Sequence, residues 1–162
     1  MPSTKITIKD DASLPYKNIH TCRLNGLTPT LIYTYSDLPC PHYGKKKLVM
    51  AHGMYGFPYL DVSGEYGISN RDKYVIMREK EEDLKKLSAF FSTKTALYLF
   101  EATRYRMKYL EKYIFELIPD ISTLEDFPTE INDDTIADYF SLDTSERYAI
   151  QQLHQREYTH KW

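Results

Sequence analysis

Lys45, Lys46 and Lys47 stand side by side in "HYGKKKLVMAHGMYGFPYLDVSGEYGIS", residues 42–69, just ahead of an apolar run and a stretch rich in glycine, proline and tyrosine. Adjacent ammonium groups can neutralise phosphates and release the counterions condensed on a nucleic acid. Behind them His52, Tyr55, Tyr59 and Tyr66 fall among glycines, which let a backbone come close to a ligand. A second basic group lies in "RYRMKYLEKY", residues 104–113. There Arg104, Arg106 and Lys108 share a face if the segment is extended, and Arg104, Lys108 and Lys112 share one if it is helical. The plainer alternative is solubilising charge, with tyrosines packed under the lysine stems; the 15 tyrosines fit both readings.

Other chemistries find less support. The chain holds no G-x-x-x-x-G-K-[ST] loop, no G-x-G-x-x-G after a strand, no G-x-S-x-G elbow and no H-E-x-x-H pair. The acids in "EKEED", residues 79–83, and at Asp133 and Asp134 stand where helices begin, so they read as solvated first-turn charges rather than a catalytic pair. Cys22 and Cys40 are too few for a disulfide framework. A metal site from Cys40, His42 and His52 would lack paired ligand spacing, so no metal is expected.

The elements that must hold the basic and aromatic residues follow from periodicity. Alternation over residues 4–9, 18–24 and 30–36 predicts short strands, and the apolar runs at 46–52 and 73–78 predict two more. Between the last two, Gly53, Gly56, Pro58, Gly64 and Gly67 punctuate two tight turns. Leu84, Leu87 and Phe91 then change the period and predict a helix over 79–91, with a second helix capped by Ser92 and ending in the basic segment. Pro119 stops any continuation. Beyond it, Asn132 or Asp133 opens one short helix, and Asp143 with Glu146 at capping-box spacing opens another. The expected fold is α+β: a twisted, mostly antiparallel sheet with helices packed beside it and a short helical C-terminal tail.

Composition sets the outer bounds. With 162 residues and no linker, one domain is expected. The longest apolar run is far short of the roughly 20 residues of a membrane span, and the first residues have no export signal, so the chain reads as intracellular. The net charge of −2 hides an asymmetry: residues 1–118 carry 18 Lys+Arg and 13 Asp+Glu, whereas residues 119–162 carry 3 and 10. A basic body at 1–118 and an acidic helical extension at 119–162, packed on the same domain, are the expected parts.

With those residues in view, the chain resembles the C-terminal target-recognition domain of adenine-specific DNA methyltransferases and fused restriction-modification enzymes of the Eco57I and TaqI-like type. "PHYGKKKLVMAHGMYGFPYLDVSGEYGIS" is similar to that family's H-F-G-x-P-K-V-I strand, glycine loop, P-Y-x-D and G-x-Y-G-x-[ST] turn. "LSAFFSTKTALYLFEATRYR" resembles its f-L-n-S-x-x-F helix, "ELIPDIS" its l-P-d-I/L step, and "EINDDTIADYFSLDTSERYAIQ" its closing Y-F-x-L tail. The likeness runs in order from about Pro15 to about Gln152. Lys46 replaces a usual proline, and Arg147 falls near an acidic position. The family's glycine-rich S-adenosylmethionine loop and N-P-P-Y motif are absent from the sequence.

The resemblance therefore implies double-stranded DNA binding without catalysis or a cofactor. Lys45, Lys46, Lys47, Arg104, Arg106 and Lys108 would contact phosphates, and His52, Met54, Tyr55, Tyr59, Asn70 and Arg71 would lie on loops near base edges. The other readings are a structural or adaptor protein, such as a large DNA virus could derive from this fold, and the specificity subunit of a split methyltransferase completed by a separate chain. Either would make the partner a protein; in the adaptor reading the acidic tail would be the interaction element, whereas in the DNA reading it would shield the basic face until DNA arrives.

Overall fold

The computed structural model describes residues 4–25, 28–52, 58–103 and 110–155. In chain order these form β1 (Ile6–Thr7), β2 (Tyr16–Asn25), β3 (Thr28–Ser36), β4 (Lys47–Ala51), β5 (Pro58–Asp61), β6 (Gly67–Ile68) and β7 (Lys73–Ile76). Then follow α1 (Glu81–Phe91), α2 (Lys94–Ala102), α3 (Ile114–Leu117), a 3-10 turn at Ile121–Thr123, α4 (Asp133–Tyr139), α5 (Thr144–Gln151) and a 3-10 turn at Gln152–Gln155. The fold is α+β, as the periodicities predict. β5 and β6 fall in the stretch that glycine and proline mark as turns.

The strands make two sheets. One has the order β1-β3-β2-β6, antiparallel except where β6 runs parallel to β2; the other is the antiparallel set β5-β4-β7. β4 explains why they stack. All five of its residues are buried, and a strand buried on both faces needs a layer on each side. Leu48 and Met50 face the helices with Leu60, Tyr74 and Ile76, whereas Val49 packs with Tyr59 and Val75 against Ile19, Tyr33, Tyr66 and Ile68 of the other sheet. The domain is sheet on sheet on helices.

Helix boundaries follow local chemistry. Glu81, Glu82 and Asp83 occupy the first turn of α1, where carboxylates favour the positive helix end. At the junction with α2, Thr93 rather than Ser92 is the cap: Thr93 Oγ1 accepts from Ala96 N at 3.2 Å, while Ser92 Oγ donates back to Ser88 O at 2.7 Å and closes α1. Both tail helices begin with reciprocal capping boxes, Asn132 with Thr135 and Asp143 with Glu146.

The region after residue 118 is part of the main core. Ile121, Phe127 and Ile136 are buried with Leu84, Phe90 and Leu110 in one cluster. Asp133 ties α4 to α2 as well, its carboxylate accepting from Thr95 N and Thr95 Oγ1, each at 2.7 Å. Among the described residues no helix is long and apolar enough to cross a membrane.

Candidate nucleic-acid interface

The three lysines do not act as a unit. Strand alternation begins at Lys47, which turns inward while Lys45 and Lys46 stay exposed. Lys47 is fully buried; its Nζ donates to Asp61 Oδ2 at 2.5 Å and to Lys45 O at 3.1 Å. Lys47 is therefore removed from the phosphate-binding set, because an ammonium enclosed in this way cannot reach a ligand. Its partner organises the next loop: Asp61 Oδ1 accepts from Ser63 Oγ and Glu65 N, and Oδ2 also accepts from Tyr66 N. Gly64, at φ +71°, completes that loop and its carbonyl accepts from Gly44 N at 2.8 Å. The pair thus fixes the segment that carries Lys45 and Lys46 against the strand-like turn that leads into β6.

Lys45, Lys46 and three further cations, Arg71, Lys73 and Arg78, lie about the two ends of β7. Lys45 and Lys46 border a shallow hollow with Met77, Arg78 and Glu79 beyond one end of the strand. At its other end Arg71 and Lys73 border a cleft of about 430 Å³, whose walls include His42, Asn70, Ile6, Pro39, Pro41, Ile68 and Val75. The two recesses are joined by the 39–46 segment, which lines the cleft at His42 and the hollow at Lys45 and Lys46. Arg78 is restrained by Asp120, Nη2 to Oδ2 at 2.5 Å, with both side chains about a third exposed.

Several expected readers occupy other roles. Tyr59 lies on β5, not on a loop, and its half-buried ring meets Tyr66 at 5.9 Å between the two sheets. His52 directly follows β4, where its amide donates to Asp72 O and its ring packs on Tyr74 at 5.7 Å. Asn70 and Arg71 are on the loop before β7, as expected; Asn70 Oδ1 accepts from Asp72 N at 3.0 Å and shapes the turn. Met54, Tyr55, Arg104, Arg106 and Lys108 lie outside the described residues.

Three contributors were missed by the sequence reading: His42, Lys73 and Arg78. Lys73 and Arg78 bracket the apolar run "YVIM", and cations at both ends of a strand are a legible signal for a charged edge. His42 sits at φ +66°, a left-handed conformation that nothing in the residue type announces. Burial and the charges of Lys47 and Lys45 push its imidazole below the ordinary 6.5, so it adds no charge to the face at neutral pH.

Beside the cleft, a β-bulge at His20 turns that ring toward Ser69, with Nδ1 and Oγ 3.3 Å apart. The pair has the composition of a base and a nucleophile, but the hydroxyl is engaged elsewhere. Ser69 Oγ accepts from Thr34 Oγ1 at 2.7 Å and reaches Ile19 O at 3.4 Å, contacts that pin β6 to the hairpin of β2 and β3. Lys17 lies over the Tyr33 ring at 4.0 Å, and burial pushes the Tyr33 and Tyr66 phenols up to about 12, so both remain protonated. No group of three His, Cys, Asp or Glu side chains that could hold a metal ion occurs among the described residues.

No protein-family model, no curated protein and no solved structure matches this chain. The likeness to methyltransferase recognition domains therefore rests on the order of its short motifs alone.

Proposed function

We propose that this chain is a double-stranded DNA-binding domain of target-recognition type, not catalytic by itself, working inside the cell where duplex DNA is found. The observation that carries this reading is the placing of cations at both ends of β7: Arg71 and Lys73 on the cleft that presents the Asn70 amide, and Lys45, Lys46 and Arg78 on the hollow beyond the other end. Exposed cations such as Lys45 and Lys46, and half-buried ones such as Lys73 and Arg78, position a phosphate backbone without reading it, while an amide and a guanidinium can distinguish bases by hydrogen bonding. Lys45, Lys46, Lys73 and Arg78 are the positioning groups, and Asn70 and Arg71 are the readers.

The test is selection from a pool of randomised duplexes at near-physiological salt, followed by a salt titration on the enriched sequences. An enriched motif, bound with residual affinity at high salt, supports recognition. Binding without enrichment reduces the domain to a phosphate binder, and no binding at all removes the DNA reading.

A second reading is an adaptor or a subunit of a split methyltransferase. It is favoured by the exposed apolar side chains Leu117, Phe140 and Tyr148 on the helical side, at 66%, 40% and 63% exposure. A stable complex with a protein partner in the absence of nucleic acid supports it.

A further inference from the structure

Asn70 and Arg71 border a recess rather than a projecting edge, and this narrows how a duplex can present a base to them. The major groove is reached by something convex, an α-helix or a two-stranded ribbon that projects side chains onto the edges of paired bases. Here the candidate readers line a cleft of about 430 Å³, within the range of small-molecule sites. A paired base cannot enter such a cleft, but an unpaired one can.

The lining fits the parts of a nucleotide. Pro39, Pro41, Ile68 and Val75 supply apolar walls, and a base out of its stack needs such surfaces. Asn70 supplies both a donor and an acceptor, although its Oδ1 is partly engaged with Asp72 N. Lys73, whose Nζ also donates to Asp72 O at 2.8 Å, stands on the same cleft as the cation for a phosphate, while Arg71 stands beside Asn70 for the base edge. Lys45, Lys46 and Arg78 border a second hollow beyond the other end of β7, where flanking backbone would run.

We propose that the cleft takes one nucleotide that has left the base stack, so that the protein prefers a duplex containing an unpaired or mismatched nucleotide to a fully paired one. The proposal rests on the DNA reading above and names the ligand of the same site. Extruding a base from a paired duplex is costly, and least so where the nucleotide is already unpaired. The preference should therefore appear directly as a difference in affinity.

The test compares four probes by fluorescence anisotropy or calorimetry: a paired duplex, the same duplex with a single-nucleotide bulge, a nucleoside 5′-monophosphate, and inorganic phosphate. The bulged duplex is expected to bind at least about tenfold more tightly than the paired one. The monophosphate should compete for the bulged duplex at concentrations where inorganic phosphate does not. Ile6 borders the cleft and is 46% exposed, so I6W can narrow the recess from its rim without disturbing the core. It should abolish the preference for the bulge.

Equal and measurable affinity for paired and bulged duplexes overturns this proposal and leaves the DNA reading standing. Direct binding of the monophosphate in calorimetry, with no binding of either duplex, keeps the cleft as a nucleotide site and removes the DNA reading. No binding of any probe overturns both.

Discussion

Lys47 Nζ and Asp61 Oδ2 lie 2.5 Å apart on neighbouring strands, directly paired in register, and both side chains are closed to solvent. The charges are not merely tolerated there, since the Asp61 carboxylate also gathers the amides of Glu65 and Tyr66. A buried pair of this kind contributes little net stability against an apolar replacement, but breaking one side leaves a charge without compensation. Its role is to set the register of β4 on β5 and the shape of the loop that follows.

Removing Lys47 alone should therefore be costly. K47A is expected to lower stability by about 3 to 5 kcal/mol in urea denaturation, and adding D61N should restore part of the loss because no unpaired carboxylate then remains. A midpoint for K47A indistinguishable from that of the parent chain would refute the enclosed pair.

Asp133 makes a longer-range connection. Its carboxylate accepts from Lys94 N, Thr95 N and Thr95 Oγ1, so α4 contributes a cap to α2 in addition to the cap from Thr93. D133A should cost about 1 to 2 kcal/mol. A double-mutant cycle with T95V should be clearly non-additive, because one contact is shared. Additive effects would mean that Asp133 does not dock the tail through Thr95.

Gly67 is required by its neighbours rather than by its backbone angles. A Cβ there would lie 2.3 Å from Asn18 Oδ1 and 2.9 Å from Cys40 Cβ. Asn18 cannot easily move, since its Nδ2 donates to Tyr16 O, Thr34 O and Ser36 Oγ. G67A should destabilise the protein by about 1 to 3 kcal/mol and distort the cleft wall at Cys40 and Ile68. Unchanged thermal stability would show that β6 does not pack this closely on β2.

The elements that were legible in the sequence are those decided locally. Asp143 and Glu146 announce their helix at capping-box spacing, and Leu84, Leu87 and Phe91 announce theirs by period, because each depends on residues within a turn or two. The fate of Lys47 was not legible. Of three identical lysines only the third enters β4, and the acid that claims it is 14 residues away across a loop. For the same reason Tyr59 reads as a loop aromatic: a four-residue strand amid glycine and proline carries too short a pattern to identify. The pairing of Ser92 and Thr93 defeats a single-residue choice of cap, since adjacent hydroxyls close one helix and open the next. The cleft is assembled from β1, the 39–42 segment and the 68–75 segment, and only the two-sheet stacking brings them together.

The depressed His42 pKa has a definite sign. Between the folded value and the ordinary 6.5, the unfolded chain binds more protons than the folded one, so stability rises with pH in that window. The penalty is absent above 6.5, accumulates as pH falls through it, and levels off below the folded value. H42N removes the titrating group while keeping a residue that accepts φ +66°. The difference in stability between the parent and H42N should therefore change between pH 7 and pH 5 and stay flat above pH 7. A difference that is constant over the whole range would place His42 in free solvent.

The cations at the two ends of β7 can be separated from the readers by salt. K45A and K46A should weaken binding to every duplex alike and each flatten the dependence of log affinity on log salt by about 1, whereas N70A and R71A should alter the preferred nucleotide. Asp120 acts in the opposite direction, because it occupies the guanidinium of Arg78. Burial alone would raise its carboxyl, but hydrogen bonds from Ser122 and Arg78, together with the Arg78 charge, hold it below the ordinary 3.8. It is thus an anion at any working pH and competes with phosphate for Arg78. D120N keeps an acceptor for the Ser122 amide while removing that charge, so binding should tighten for all duplexes, with a steeper salt dependence. A truncation at residue 120 could not isolate this effect, since it would also remove Ile121, Phe127 and Ile136 from the core. If D120N leaves both affinity and salt dependence unchanged, Arg78 is not part of the face, and only Lys45 and Lys46 supply charge at that end of β7.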